Sequence, residues 1–313
     1  MQEILLSIYI PTHNRCKLVM KQLNFFVNEF VKLQEKQNLI EIVVSDNCSD
    51  DYTYEVVDKY IKNSAIKNNV FKIYKNNKNV GIVGNVYESI EKTCGKYLWI
   101  VSDDDKLVPG VLRKIMQILE NRVGAIYLNT VYKYQIRDFT YNEIRYNGNE
   151  CILEKPKKYM LENFWQRVTR MGLSTSLIFD RKYLEILSEI IPLNMKEAYG
   201  WGICIPMIVA SQDNIYFTKD IWVELVSTST SWEDIMLEAL TGSALSLLKL
   251  DKWYTNEEIK LMFKVYEENA KIVKGINENI SNALIKNDPD YFRCYEMAIK
   301  CNPLYTHLDM KFN

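Results

Sequence analysis

Over the first 120 positions the apolar residues alternate between two rhythms. Leu5 to Ile10 is a short, almost unbroken apolar run closed by Pro11, the pattern of a buried parallel strand. Leu23, Phe26, Val27, Phe30 and Leu33 then recur at three- and four-residue spacing, which marks an amphipathic helix. The pair repeats. Ile40 to Ser45 reads as a second strand, with Val56, Val57, Tyr60 and Ile61 tracing a second helix, and Val70 to Tyr74 with Ile82 to Thr93 make a third unit. Lys96 to Val101 is a fourth strand, after which Pro109 is placed in the first turn of a helix carrying Val111, Leu112, Ile115 and Leu119. Strands alternating with helices predict a parallel, doubly wound sheet, whose ligands bind beyond the carboxyl ends of its strands.

The rhythm changes in the second part of the chain. Ala125 to Tyr132 reads as a strand, and Tyr146-Asn147-Gly148-Asn149 as a hairpin turn, because Asn-Gly supplies positive φ angles. Helical spacing returns over Tyr159 to Val168, a strand over Ser174 to Phe179, and a helix over Trp201 to Val209. From Ser231 onward the chain reads as helical, with Thr255 and Glu258 forming a capping box before Ile259, Met262, Phe263 and Tyr266.

Composition narrows the class. With 313 residues, 48% hydrophobic and 25% charged, the chain is that of an ordered globular protein, one sizeable domain with an extension. Its 39 basic and 40 acidic residues leave a net charge of -1, so no broad positive field recruits nucleic acid. The 7 cysteines are scattered without a Cys-x-x-Cys pair and predict reduced thiols. No apolar run is long enough for a membrane span and no basic leader opens the chain, which predicts a soluble or membrane-peripheral protein. His13 and His307 stand too far apart in sequence to suggest a zinc site.

The polar segments after each strand are the candidates for chemistry. Ser102-Asp103-Asp104-Asp105 follows the fourth strand. On an extended chain alternate side chains share a face, so Asp103 and Asp105 can converge on one hard divalent cation whose shell is completed by substrate phosphates. The same residues also read as a solvated acidic turn. Pro11-Thr12-His13-Asn14-Arg15 follows the first strand, where Arg15 can meet phosphate, or Thr12 or Asn14 can cap the helix. In Ser45-Asp46-Asn47-Cys48-Ser49-Asp50-Asp51, Ser49 or Asp50 serves as a cap, while Asp46 lies too early for that and is left to accept from a base N–H or a ribose hydroxyl. Asn76-Asn77-Lys78-Asn79-Val80-Gly81, with Gly84 and Asn85 beyond it, reads as turns that bring backbone close to a ligand, or as turns alone.

The order and spacing of these segments resemble the family 2 glycosyltransferases of the GT-A fold. Ile8 to Arg15 is similar to that family's strand and Pro-Thr-x-Asn-Arg loop, and Val43 to Asp50 to its second strand ending in Asp. Asn79-Val80-Gly81 matches the Asn-x-Gly segment, and Asp103-Asp104-Asp105 the Asp-x-Asp signature. One departure is Asn47-Cys48-Ser49, where Asp-Gly-Ser is commoner. The resemblance covers residues 4 to 120 and implies an α/β GT-A fold with a mostly parallel, doubly wound sheet and a mixed acceptor half. Residues 1–230 would form the transferase domain, 1–120 its nucleotide-sugar half and 121–230 its acceptor half, followed by a helical C-terminal extension, 231–313. It further implies that Pro11, Thr12, Asn14, Arg15, Asp46, Asn79, Gly81, Asp103 and Asp104 line the nucleotide-sugar site. In that reading Asp46 meets the base, Asp103 the ribose or the metal, and Asp105 holds Mn2+ or Mg2+.

Such enzymes usually invert the anomeric carbon by direct displacement, which needs a carboxylate to take the acceptor's proton. Glu197, just before Ala198-Tyr199-Gly200-Trp201, has the placement the resemblance gives that base, with Asp180, Asp213, Glu233 and Asp234 as rivals. Tyr199 and Trp201 offer flat faces to a sugar or belong to the core, and Ser227 to Trp232 reads as a donor lid or a capped turn. The expected activity is metal-dependent transfer of a hexose from a nucleoside diphosphate sugar, a UDP-sugar first, to a glycan or lipid-linked saccharide during surface polysaccharide assembly. The expected setting is the cytoplasm or the inner membrane face, with the C-terminal helices packing, dimerising or touching lipid. A nucleotidylyltransferase would need a glycine-rich basic phosphate loop that Pro11 to Arg15 lacks, and a dinucleotide oxidoreductase a G-x-G-x-x-G run. A non-catalytic carbohydrate-binding protein on a degenerate fold is disfavoured by intact Asp103 and Asp105.

Overall fold

The computed structural model of the chain describes residues 3–64, 70–136, 139–169, 174–226 and 242–272. The first half follows the predicted alternation: β1 (Leu6–Thr12), α1 (Cys16–Val31), β2 (Ile40–Asp46), α2 (Thr53–Asn63), β3 (Phe71–Lys75), α3 (Gly81–Tyr87), α4 (Ser89–Lys92) and β4 (Tyr97–Ile100). Then come β5 (Lys106–Leu107), α5 (Val111–Ile118), β6 (Ala125–Ile136), β7 (Phe139–Ile144), β8 (Cys151–Leu153) and α6 (Lys157–Glu162). They are followed by β9 (Leu177–Asp180), α7 (Lys182–Ile190), α8 (Trp201–Gln212), β10 (Ile215–Val226) and α9 (Asn256–Ile272).

The strands form one sheet in the order β3-β2-β1-β4-β9-β6-β10-β5, with β7 and β8 pairing to β6 and β10. β1 to β4 are mutually parallel, β9 enters antiparallel between β4 and β6, and β10 returns parallel to β6. Both faces are covered, which is why the middle of each central strand is apolar on both sides. Leu6, Ile8, Ile10, Ile42 and Val44 point into a core shared with Phe26 of α1 and Leu112 and Ile115 of α5. Tyr9, Val43, Leu98 and Tyr127 point the other way, onto α8 and its neighbours. α8 is buried along Gly202 to Ala210 and apolar on every side, as a helix enclosed between layers must be.

Several boundaries differ from expectation for identifiable reasons. β1 runs through Pro11 to Thr12, in register with Ser45 and Asp46. Pro109 precedes α5 rather than opening it, because Gly110 is the N-cap. The helix expected over Ile82 to Thr93 is broken into α3 and α4 at Glu88. Tyr146 to Asn149 is not a hairpin: the strands on either side pair with β6 and β10 instead of each other. Gly148 is there for space, since a Cβ would lie 2.4 Å from the Tyr146 hydroxyl. The helical spacing over Tyr159 to Val168 resolves into α6 and a separate π-helical turn, Phe164–Thr169, and the strand expected from Ser174 begins at Leu177.

The capping box forms as the sequence demands, with Thr255 N–H donating to Glu258 Oε2 (2.8 Å) and Glu258 N–H to Thr255 Oγ1 (3.3 Å). Tyr254, Ile259, Met262, Phe263 and Tyr266 are buried in the same core as α8, so the described part of the C-terminal extension packs on the core. The lid expected over Ser227 to Trp232, the rivals Glu233 and Asp234, and the chain from 273 onward lie outside the described residues. Among the described residues no helix is long and apolar enough to cross a membrane.

Candidate active site

Parallel register brings the ends of β1 to β4 to one edge. Thr12 pairs with Asp46, Asp46 with Lys75, and Asn47 N–H donates to Thr12 O at 2.8 Å. Val101 N–H continues the ladder to Tyr9 O (2.8 Å), so the acidic segment emerges beside the β1 loop.

That proximity is realised in side chains. Thr12 Oγ1 donates to Asp103 Oδ2 at 2.7 Å, and Arg15 Nη1 donates to Asp103 Oδ1 at 2.9 Å and Asp104 Oδ2 at 3.1 Å. Asp103 is 4% exposed. Its burial raises the carboxyl pKa, Thr12 and Arg15 pull it back, Asp104 adds repulsion, and the net shift is upward. Burial opposes the charge on Arg15 as well, but there the two carboxylates outweigh it and its pKa rises. The asymmetry has a simple cause: the Arg15 side chain is 28% exposed and keeps some water, whereas that of Asp103 is 3% exposed and keeps almost none.

The acidic segment bends at Asp103 and Asp104, and these two neighbours share Arg15. Its curvature is held from behind. Gln22 of α1 donates through Nε2 to both Ser102 O (2.9 Å) and Asp105 O (2.8 Å), and Ser102 N–H donates to Thr175 Oγ1 (2.9 Å) just before β9. Among the described residues no three His, Cys, Asp or Glu side chains are grouped to hold a metal. Asp103 already spends both oxygens on Thr12 and Arg15. The donor set is hard oxygen and fits Mn2+ or Mg2+ only as part of a shell that a ligand's phosphates complete.

The other expected residues sit around this centre. Asp46 is fully buried and does cap the turn after it, accepting from Ser49 N–H (3.2 Å) and from the Ser49 hydroxyl. Asn14 adopts φ 53°, its N–H donating to Ser49 Oγ (2.8 Å) and its Oδ1 accepting from Asp50 N–H (2.9 Å). Neither Thr12 nor Asn14 caps α1, whose Cys16 N–H turns to Asp51 Oδ2 (3.4 Å). Asp51, not Ser49 or Asp50, also receives Thr53 N–H (3.1 Å) at the start of α2. Asn79 Oδ1 accepts from Gly81 N–H (2.8 Å), and Gly81 takes φ 74°, a conformation a side chain would strain.

Glu197 is half-buried in a 3-10 turn, Lys196–Gly200, that leads into α8. A Cβ added at Gly84, in the first turn of α3, would lie 3.8 Å from Leu193, which places the segment before Glu197 at the carboxyl edge of the sheet. Among the described residues the Glu197 carboxylate makes no hydrogen bond or ion pair. Asp180 and Asp213 are at the opposite edge. Asp180 pairs with Tyr97 at the start of β4 and caps Lys182 N–H (3.1 Å), and Asp213 accepts from the Tyr183 hydroxyl (3.1 Å). Tyr199 and Trp201 are partly buried against the α8 core.

The sequence does not single out Gln22 or Thr175, and it marks Asn85 only as part of a turn-rich segment. Gln22 carried a signal, since a glutamine stands in the buried stripe of α1 beside Val19, Leu23 and Phe26. Asn85, 2% exposed, donates to Ser45 O (3.1 Å) and accepts from Ser45 Oγ (2.6 Å), bracing the floor of the loops.

The chain is 37% identical over 127 residues to the abequosyltransferase RfbV of Salmonella typhimurium strain LT2, covering 40% of this chain and 35% of that one. It is 33% identical over 113 residues to the GalNAc(5)-diNAcBac-PP-undecaprenol beta-1,3-glucosyltransferase of Campylobacter jejuni, covering 36% and 33%. The chain thus spans about a third of each of these curated relatives. In fold it is similar to S. aureus TarS 1-349 in complex with UDP (TM-score 0.65, 16% identity, 96% of this chain and 81% of that one). It is also similar to the mannosyltransferase PcManGT of Pyrobaculum calidifontis in complex with GDP-Man and Mn2+ (TM-score 0.55, 12% identity, 99% and 89%). The model of the family "Glycosyl transferase family 2" matches residues 7–187, more than half of the chain and including the loops that follow β1 to β4, and the chain belongs to that family.

Proposed function

We propose that this glycosyltransferase is inverting and metal-dependent, and moves a hexose-type unit from a nucleoside diphosphate sugar, UDP-linked by preference, to a saccharide or lipid-linked saccharide in bacterial surface polysaccharide synthesis. The observation that carries the reading is the Thr12–Arg15–Asp103–Asp104 constellation at the end of β4, one strand from Asp46. The loops of Pro11 to Arg15, Asp46 and Asn79 to Gly81 frame the nucleotide. A relative named as a GalNAc(5)-diNAcBac-PP-undecaprenol beta-1,3-glucosyltransferase, and structural neighbours with UDP or with GDP-Man and Mn2+, favour the same reading. The cytoplasmic membrane face is the matching setting. Residues 1–230 act as the transferase domain and the C-terminal helices as a packed extension that can also serve dimerisation.

In the reaction the acceptor hydroxyl oxygen attacks the anomeric carbon while the bond from that carbon to the diphosphate oxygen breaks, its electron pair leaving with the diphosphate. Glu197 takes the hydroxyl proton, as a carboxylate within reach of it can. Arg15 turns from Asp103 and Asp104 toward phosphate, a planar donor suited to that partner. Asp105, with Asp103 beside it, would hold Mn2+ or Mg2+, which when bound supplies charge neutralisation to the departing diphosphate.

The test is a release assay with UDP-, GDP- and TDP-sugars in the presence of Mn2+. We expect UDP release from a UDP-sugar that EDTA abolishes, and an inverted anomer in the product by proton NMR. Release unaffected by EDTA would remove the metal from the account, and consumption of a nucleoside triphosphate with a sugar phosphate would favour the nucleotidylyltransferase reading.

A further inference from the structure

We propose that Asn47 is a positioning residue whose uncharged amide locks together the loops framing the donor site, and that a carboxylate in its place would spring that lock. The inference rests on the reading that these loops hold the donor nucleotide, and adds what sets their spacing.

Asn47 follows β2 and is 4% exposed. Its Nδ2 donates to Asn79 Oδ1 at 2.8 Å and to Gly81 O at 3.2 Å, while its Oδ1 accepts from Asn76 Nδ2 at 3.1 Å and Val80 N–H at 3.0 Å. Two donors and two acceptors are the full capacity of a side-chain amide, and all are used on one loop, between β3 and α3. The amide orientation is not a free choice. Val80 N–H can only donate and Gly81 O can only accept, so oxygen must face the first and nitrogen the second. Asn79 is fixed independently, because Gly81 N–H requires its Oδ1. Its remaining Nδ2 faces His13 Nε2 at 3.3 Å, so the clamp reaches the β1 loop as well. Asn47 thereby ties the ends of β1, β2 and β3 into one frame, which explains why an amide stands where the wider family more often has Asp.

An Asp at this position has the same shape but no donors. One of its oxygens would face two acceptors, Asn79 Oδ1 and Gly81 O, with little water to screen it. The titratable groups nearest the clamp are His13 against Asn79, Lys92 against Asn76 and the neighbouring Asp46. Wild-type protein carries all of them and is the control.

The experiment compares Asn47→Asp and Asn47→Ala with wild type in the full chain, by hydrogen exchange of residues 76–81 and by UDP affinity with Mn2+, from pH 8 down to pH 5. We expect Asn47→Asp at pH 8 to exchange fastest and to weaken UDP by roughly 10- to 100-fold, Asn47→Ala to be milder, and Asn47→Asp to recover as the pH falls and protonation restores a donor. If Asn47→Ala is the worse variant, or Asn47→Asp shows no pH recovery, the residue is merely filling space and the proposal is overturned. If UDP fails to bind wild type while the exchange pattern holds, the clamp stands and the donor reading falls.

Discussion

Glu41 lies at the amino edge of the sheet and Asp103 at the carboxyl edge, and both are almost completely shielded from solvent. Glu41 is saturated: it accepts from Ser7 Oγ (2.5 Å), Cys94 N–H (2.6 Å) and Lys72 Nζ (2.6 Å). Burial alone would raise its pKa, but the Lys72 ammonium, the Ser7 hydroxyl and the Cys94 amide outweigh that and hold it below the ordinary glutamate value. Asp103 has one hydroxyl, one shared guanidinium and a second carboxylate beside it, and its pKa is raised. The signs of the two linkages differ accordingly. Ionised Glu41 contributes stability above pH about 4.3, and this is lost as pH falls through its lowered folded value. For Asp103 the stability belongs to the protonated form and is lost as pH rises through the raised folded value. The two carboxylates are alike in burial and differ in how far their partners offset it.

The sharpest break of this comparison is at the acid–base level. Glu197→Gln should lower kcat by about 10²- to 10⁴-fold in the transfer assay, whereas Asp180→Asn and Asp213→Asn, at the amino edge, should change it less than about threefold. Next, Glu41→Gln should cost about 3 kcal/mol in urea denaturation at pH 7, because it leaves the Lys72 ammonium without its counter-charge. Asp103→Asn should cost less than about 1 kcal/mol while removing turnover, and equal destabilisation by the two would erase the distinction between edges. Gln22→Leu, which fills the same buried position but releases the acidic loop, should raise the Mn2+ concentration needed for half-maximal rate by roughly tenfold with an unchanged Tm. Smallest, Thr255→Ala should lower stability by about 1 kcal/mol with kcat/KM untouched, since the cap lies far along the chain from the donor loops.

The same division explains what was legible. Through β4, each strand and helix is a local run with its own periodicity, and each polar loop follows its strand by geometry, so Thr12, Asp46 and Asp103 could be placed together before any contact was known. Beyond Ala125 the pairings are made at long range. β9 inserts antiparallel between β4 and β6, and β10 pairs with β6 through two register shifts, so the alternation that identifies a half-exposed strand is broken by bulges. β5 and β8 are too short to show a period, and α7 was passed over between stronger signals. The Tyr146 to Asn149 turn misled because Asn-Gly reports a turn but not which strands it joins. Asn47 and Asn85 stand in segments that the sequence marks only as turns, because each acts through amide geometry, and composition says nothing about which carbonyls an amide will meet.

The central claim is that the acidic segment closing β4 accepts a divalent cation together with a nucleoside diphosphate. Isothermal titration of UDP into the wild-type protein and into Asp105→Ala, each with and without Mn2+, tests it directly. We expect Mn2+ to tighten UDP binding by at least about tenfold, or 1.4 kcal/mol, in the wild type and to do nothing in the variant. The same enhancement in both proteins, or none in either, would contradict it.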